Sequence, residues 1–473
     1  MMNPYDFRKH AHQVVDWIAD YFENIEKFPV KSQVQPKEVY NRLPDSAPEQ
    51  GESMDKIMQD FQNIILPGIT HWQSPNFFAY FPANSSYPSV LAEMLTAALG
   101  AQCMIWETSP AAAELEEKVM NWLKQMLSLP ISWYGVIQDT ASSSTLCALI
   151  TAREIYTNFA VNKSGFTGNE KFRIYGSSET HSSIDKGVKI AGFGLDNLVK
   201  IQVDENQAMR PDALRAAIES DISKGFKPLC VVATLGTTGT TGIDPLKVIA
   251  EICQKYKIWL HVDAALAGSA LILPEYRWMA EGLDMADSFV FNPHKWLFTN
   301  FDCSAYFVKD KDALINTFTI LPEYLKTKTT GKVNDYRDWG IALGRRFRAL
   351  KLWFVIRDFG VQGLQERLRY HIQLAEELER KMKEHPEFEL MTRRNINLVC
   401  FRYHPKNIGA EYELDQLNES ILHKLNATGK IYLTHTRIKN HYVIRLIIGQ
   451  TYVTREHVEK AWQLICSTIK NIR

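Results

Sequence analysis

Cysteine is scarce and unpatterned: the 473 residues hold seven, scattered from Cys103 to Cys466, odd in number and never spaced C-x-x-C. A disulfide framework and a zinc site are therefore not expected, nor is any other metal site, and the thiols read as reduced, buried small hydrophobes. An excess of one charge is also missing, because 54 Lys plus Arg balance 54 Asp plus Glu. Without clustered basic residues there is no electrostatic footprint for nucleic acid. Long apolar runs are absent too. The longest uncharged one, around Ala264 to Leu273, is far short of the roughly 18 residues of a membrane span, and the start MMNPYDFRKHAHQVVDW lacks the apolar region of a signal peptide. A cytoplasmic protein with no membrane partner is the expectation. There is no internal repeat and no low-complexity segment.

What is present is the composition of a globular chain long enough for two or three domains. Asn3 as N-cap and Pro4 at the first helical position open a helix with Val14, Ile18, Tyr21, Phe22 and Ile25 at helical spacing. A second helix is expected from about Met54 to Ile65, followed by the Pro-rich aromatic stretch HWQSPNFFAYFPANSSYP. This arm, residues 1–85, has little core of its own and must lie on another part of the protein or on another subunit. Residues 86–351 alternate helical segments with β-branched runs: RIYG near Ile174, CVVAT at 230–234, IWLHVDAA at 258–265, SFVFN at 288–292 and SAYFVK at 304–309. Such alternation predicts an α/β domain with a sheet covered on both faces. Residues 352–473 read as a smaller α+β domain.

Five windows carry chemistry. Lys295 sits among Phe291, Trp296 and Phe298, where desolvation would lower its pKa and free a nucleophilic amine; the bland reading is a lysine that snorkels to water. Asp263 is the one carboxylate in an apolar strand and needs a cation, either a protonated pyridine nitrogen or a structural ion-pair partner. Ala141, Ser142 and Ser143 place backbone N–H groups and hydroxyls at a helix start, an anion site or an ordinary cap. Thr238, in GTTGTTG, follows the CVVAT strand, and His181, in SSETHSS, follows the Ile174 strand. Each is either a ligand residue or part of a plain loop. All five fall at strand ends, where an open α/β sheet forms its ligand crevice.

Taken in order along nearly the whole chain, HWQSPNFFAYFP, GVIQ-TAS, THSS, ATLGTTGTTG, WLHVDAALAGSA, FNPHKWLFTNFDCSA and LGRRFRALK resemble the aromatic L-amino-acid decarboxylases, enzymes of the group II family that depend on pyridoxal 5'-phosphate (PLP). The resemblance implies an aminotransferase-like, fold-type I architecture: a large domain with a mixed, mostly parallel sheet, an N-terminal helical arm and a small C-terminal domain. It also implies a homodimer with intertwined arms. Lys295 then matches the Schiff-base lysine, Asp263 the partner of the pyridine nitrogen and His181 the residue stacked on the ring. Ala265 would pack on the other ring face with Thr238 beside the cofactor. Ala141, Ser142, Asn292 and His294 match positions that hold the phosphate or flank the lysine. Tyr324, in LPEYLKTKTTGK, matches a loop tyrosine that protonates the substrate carbon.

The substrate pocket implied by the resemblance comprises Trp72, Tyr80, Phe81, Pro82, Ala83, Gln102, Met104 and Gly344. Here the chain departs from its relatives: Ala83 stands where animal enzymes have Thr, and Gln102 and Met104 where apolar or aromatic residues are commoner. Gly344 matches a position where glycine in plant relatives accompanies room for indoles. Asp139 replaces a common glycine beside the phosphate loop, and an outward-pointing carboxylate is expected. The activity implied is decarboxylation of aromatic L-amino acids to arylalkylamines. Two rivals share the fold: an aromatic aldehyde synthase, disfavoured by Tyr324 and His181, and a decarboxylase of an acidic amino acid, disfavoured by Trp72, Phe81 and Trp106.

Overall fold

The computed structural model describes residues 2–168, 170–320 and 332–472. The chain divides into two compact units, one of Ala83–Arg380 with Leu390–Cys400 and one of Met1–Pro82, Lys381–Glu389 and Phe401–Arg473.

The larger unit is built on seven strands: β1 (Tyr134–Gln138), β2 (Phe172–Ser177), β3 (Leu198–Ile201), β4 (Lys227–Thr234), β5 (Trp259–Asp263), β6 (Ser288–Phe291) and β7 (Ser304–Val308). Their order is β1-β7-β6-β5-β4-β2-β3. The pairs from β3 through β6 are parallel, whereas β7 runs antiparallel to both β6 and β1. The sheet is thus mixed and mostly parallel. Strands such as CVVAT, SFVF and SAYFV are buried along their length, as expected for a sheet covered on both faces.

The direction of β7 has a geometric consequence. Because β1 is antiparallel to β7, it points the same way as β6, so β1, β2, β4, β5 and β6 all end at one edge of the sheet. In register there, Thr234 pairs with Asp263 and Asp263 with Val290. The helix Ala141–Thr157 follows β1 and packs across β4 to β7, with Cys147 and Ala148 in a core cluster alongside Val136, Val290 and Tyr306. A second cluster joins Leu149 and Ala152 to Ile174, Val188 and Val232.

In the smaller unit Asn3 caps the first helix, Pro4–Glu23, by accepting the N–H groups of Tyr5 and Asp6. The second helix starts at Met54, capped by Ser53, and changes to a wider π turn over Phe61–Ile65. The coreless arm packs on C-terminal elements of its own chain: Val30 N–H donates to the carbonyl of Gly429 and Phe78 N–H to that of Tyr432. A second sheet has four strands, β8 (Phe388–Leu390), β9 (Leu398–Tyr403), β10 (Thr434–Ile438) and β11 (His441–Ile447), in the order β10-β11-β9-β8. The helical stretch expected near residue 352 is Arg348–Glu384, broken at Gly360, whose φ of 63° interrupts the helical backbone.

Candidate active site

The five windows singled out in the sequence follow or end the strands that share one edge. Ala141 opens the helix after β1, His181 follows β2, Thr238 lies in the loop after β4, Asp263 is the last residue of β5, and Lys295 lies four residues beyond β6. Sheet topology alone brings them to one edge of the sheet, where open α/β folds bind ligands.

Lys295 belongs to a short helical turn, Pro293–Trp296, and is followed in the chain by the fully buried Trp296 and Phe298. Burial lowers its pKa, and the Asp263 carboxylate opposes that shift. The lysine is therefore a desolvated amine facing a carboxylate, not one reaching into solvent. Asp263 is buried, and its Oδ1 accepts the N–H of Ala265 at 3.0 Å. His181 retains exposed surface, yet surrounding protein desolvates the ring enough to lower its pKa; Asp263 pulls it up and Lys295 pushes it down. These mutual effects place the three groups within electrostatic reach of one another. The Nδ1 of His181 accepts the N–H of Ser183 at 3.1 Å.

Around this trio the supporting bonds are local. Asn292 N–H donates to the Ala265 carbonyl at 3.0 Å, and its Oδ1 accepts the Ser304 hydroxyl at 2.7 Å. His294 is buried and its Nδ1 accepts the Cys303 N–H at 3.0 Å, which puts the ring proton on Nε2; burial pushes its pKa down to about 3, so the ring is neutral. The helix at Ala141 starts without a side-chain cap from Thr140, leaving its first N–H groups open to an anion; Ala141 is buried and Ser142 exposed. Just before it, Gln138 Oε1 accepts the Ser144 hydroxyl at 3.0 Å while Nε2 donates to the Trp339 carbonyl at 3.2 Å.

Asp139, for which an outward-pointing carboxylate is expected, directly follows β1. It is half-buried, and its charge acts on Arg348 and Cys147.

The residues expected to line a substrate pocket fall into two groups. Within the larger unit, Gln102 Oε1 accepts the Arg345 N–H at 2.7 Å, the Met104 carbonyl accepts the Arg337 N–H at 2.9 Å, and a Cβ added to Gly344 would meet Gln102 Nε2 at 3.4 Å. Buried Arg345 ties this pair of segments to Glu116 and to the Ile137 carbonyl, each at 2.7 Å. Ala83 also lies in this unit. Trp72, Tyr80, Phe81 and Pro82 belong to the smaller unit, where Trp72 stacks on Tyr80 at 5.7 Å and Phe81 lies under the Arg445 guanidinium. Trp106 is already engaged: its indole donates to Glu114 at 2.9 Å and its ring packs on a core cluster with Tyr336 and Trp339. Tyr324 lies outside the described residues.

The sequence reading passed over three polar residues of this region. Thr234, beside Asp263, buries a hydroxyl with no partner among the described residues. Gln138 and Asn84 are buried in polar contacts; Gln138 lies in the GVIQ segment and Asn84 in the Pro-rich aromatic stretch, but neither amide was singled out. Among the described residues no group of His, Cys, Asp and Glu is placed to hold a metal, and no helix is long and apolar enough to cross a membrane.

A family model described as the pyridoxal-dependent decarboxylase conserved domain matches residues 36–404. The chain is 42% identical over 487 residues to a tyrosine decarboxylase of Papaver somniferum, covering 98% of this chain and 94% of the relative. It is 44% identical over 474 residues to a phenylacetaldehyde synthase of Arabidopsis thaliana, covering 98% and 96%. Among solved structures it matches the Oryza sativa TDC with PLP and tryptamine at a TM-score of 0.96 and 35% identity, over 100% of this chain and 99% of that one.

Proposed function

The chain belongs to the pyridoxal-dependent decarboxylase family and is a PLP-dependent carboxy-lyase, and from that premise we propose that it converts aromatic L-amino acids to arylalkylamines and carbon dioxide. The observation that carries the reading is the buried amine of Lys295 facing Asp263 and His181 at the edge where five strands end.

The residues present fit PLP. An uncapped helix start suits its phosphate, a buried carboxylate suits its pyridinium, and the orphaned Thr234 hydroxyl offers a donor beside that carboxylate. Bound, the cofactor supplies the electron sink for the pair left when carbon dioxide departs. Lys295, half-buried and with a lowered pKa, would be the nucleophilic amine that holds the cofactor. Asp263, its Oδ1 fixed by the Ala265 N–H, holds a proton on the pyridine nitrogen. His181, with lowered pKa, presents a neutral ring to stack on the cofactor. Tyr324, assigned by sequence position, delivers a proton to the substrate α-carbon.

Aromatic aldehyde synthesis is the second reading, since relatives of both kinds match over nearly the whole chain. Tyr324 and His181 stand in the state associated with amine release. Turnover of tryptophan, tyrosine, phenylalanine and their hydroxylated forms with product, peroxide and ammonia measured together is the test. Amine with carbon dioxide alone is expected; stoichiometric peroxide and ammonia would place the chain on the aldehyde branch, and turnover of glutamate alone would remove the aromatic substrate.

The working unit in this reading is a homodimer. The helix Tyr87–Leu99 exposes Tyr87, Leu91, Met94, Leu95 and Leu99, an apolar face too continuous for a monomer surface. The arm exposes Tyr5, Phe7 and Val15. A second copy of the chain covering these surfaces agrees with the intertwined arrangement the family resemblance implies.

A further inference from the structure

The backbone that carries Lys295 is unusual. The turn Pro293–Trp296 is followed by Phe298 at φ 54°, in the left-handed region, which a bulky aromatic adopts only when its surroundings enforce it. The enforcing contacts come from a short segment just past the FPA tripeptide. Asn84 N–H donates to the His294 carbonyl at 2.9 Å, and Asn84 Nδ2 donates to the carbonyl of Lys295 itself at 2.6 Å. Ser86 Oγ donates to the Phe298 carbonyl at 2.7 Å, and Ser89 Oγ accepts the Asn300 N–H at 2.7 Å. Asn84 and Ser86 are buried, so these bonds form where water competes little. A further hold comes from Trp296, whose Nε1 donates to Nδ1 of the buried His371 at 3.0 Å.

We propose that Asn84 is a positioning residue for the cofactor lysine: by bonding the two successive carbonyls of His294 and Lys295 it fixes the direction in which the lysine side chain leaves the turn. The inference rests on the reading of Lys295 as the residue that takes up PLP. Asn84 touches neither cofactor nor substrate in this role and acts through the main chain of Lys295. The side-chain amide is the part that matters, because its N–H is the donor to the residue that does the chemistry, whereas the backbone N–H of any residue at 84 can still serve His294.

The test mixes apoprotein with PLP and follows covalent capture by borohydride trapping and peptide mass, with turnover per trapped cofactor measured in parallel. Asn84→Asp keeps the size but places an oxygen against the Lys295 carbonyl, and Asn84→Ala removes the group. Capture by Lys295 is expected to slow about tenfold in both, the scale of one lost hydrogen bond, with the apoprotein melting midpoint held within a few degrees. Capture at the wild-type rate in folded Asn84→Asp overturns the proposal, as does a loss confined to melting temperature. If neither variant folds, Ser86→Ala releases only the Phe298 carbonyl and decides the same question: slower capture supports the enforced turn and an unchanged rate overturns it. A wild-type label found away from Lys295 instead overturns the lysine reading on which this one rests.

Discussion

A lysine surrounded by Trp296 and Phe298 and opposed by Asp263 has been moved away from its ordinary chemistry by its surroundings. Replacing it with alanine is expected to abolish both the borohydride-trapped PLP adduct and carbon dioxide release, while the protein still folds; residual trapping on another lysine, seen by peptide mass, would contradict the assignment. Tyr324→Phe is expected to shift product from amine toward aldehyde with peroxide and ammonia release, and amine formation at the native rate would remove Tyr324 as proton donor. The candidate residues stood out in sequence because each is a chemical anomaly: an amine among aromatics, a carboxylate in an apolar strand. Asn84 did not, because a polar residue in a polar loop looks the same whether it faces water or a buried carbonyl, and Gln138 did not, because an amide that ends a strand reads as an ordinary strand end.

At the scale of elements, close approach decides what the crevice tolerates. Gly268 lies against β6, where an added Cβ would come within 2.3 Å of the Phe291 Cβ. Gly268→Ala should therefore destabilise by about 1–3 kcal/mol and, because Phe291 immediately precedes Asn292, weaken PLP binding as well. Denaturant unfolding and cofactor titration read the two effects separately. The apolar face of Tyr87–Leu99 makes a second prediction: Leu95→Glu is expected to shift sedimentation from dimer to monomer, and an unchanged sedimentation profile would exclude this helix from the interface. Helix and strand positions were readable because periodicity and breakers mark them, as at Asn3 and Pro4. The antiparallel placement of β7 was not, because strand direction follows from the route of the connecting chain, which no local pattern records.

For the whole molecule, three buried imidazoles set a response to acid. Burial lowers His261 to about 4 and His294 to about 3, and pushes His371 well below its ordinary value. A histidine depressed in the folded state stabilises above its unfolded pKa of about 6.5 and loses that contribution as pH falls toward the folded value, since only the unfolded chain takes up the proton. Each therefore costs about 1.4 kcal/mol of stability per pH unit in that window. Asp244, which burial pushes up to about 7, works the other way between about pH 4 and 7, because there the folded state holds the extra proton. His261→Gln is expected to reduce the pH dependence of unfolding by one proton between pH 6.5 and about 4, measured by denaturant titration at several pH values. An unchanged slope would mean that His261 is charged in the native state.

The amide of Gln138 joins two regions that the chain keeps far apart in sequence. Its oxygen is committed to Ser144 on the helix that opens the anion cradle and its nitrogen to Trp339, and a planar group with one acceptor end and one donor end cannot turn over without forfeiting both. One side chain thus links the start of that helix to a segment about two hundred residues downstream. Deuterium uptake around Gly340 is expected to fall when the vitamin-derived group is added, and an unchanged uptake would separate the two regions.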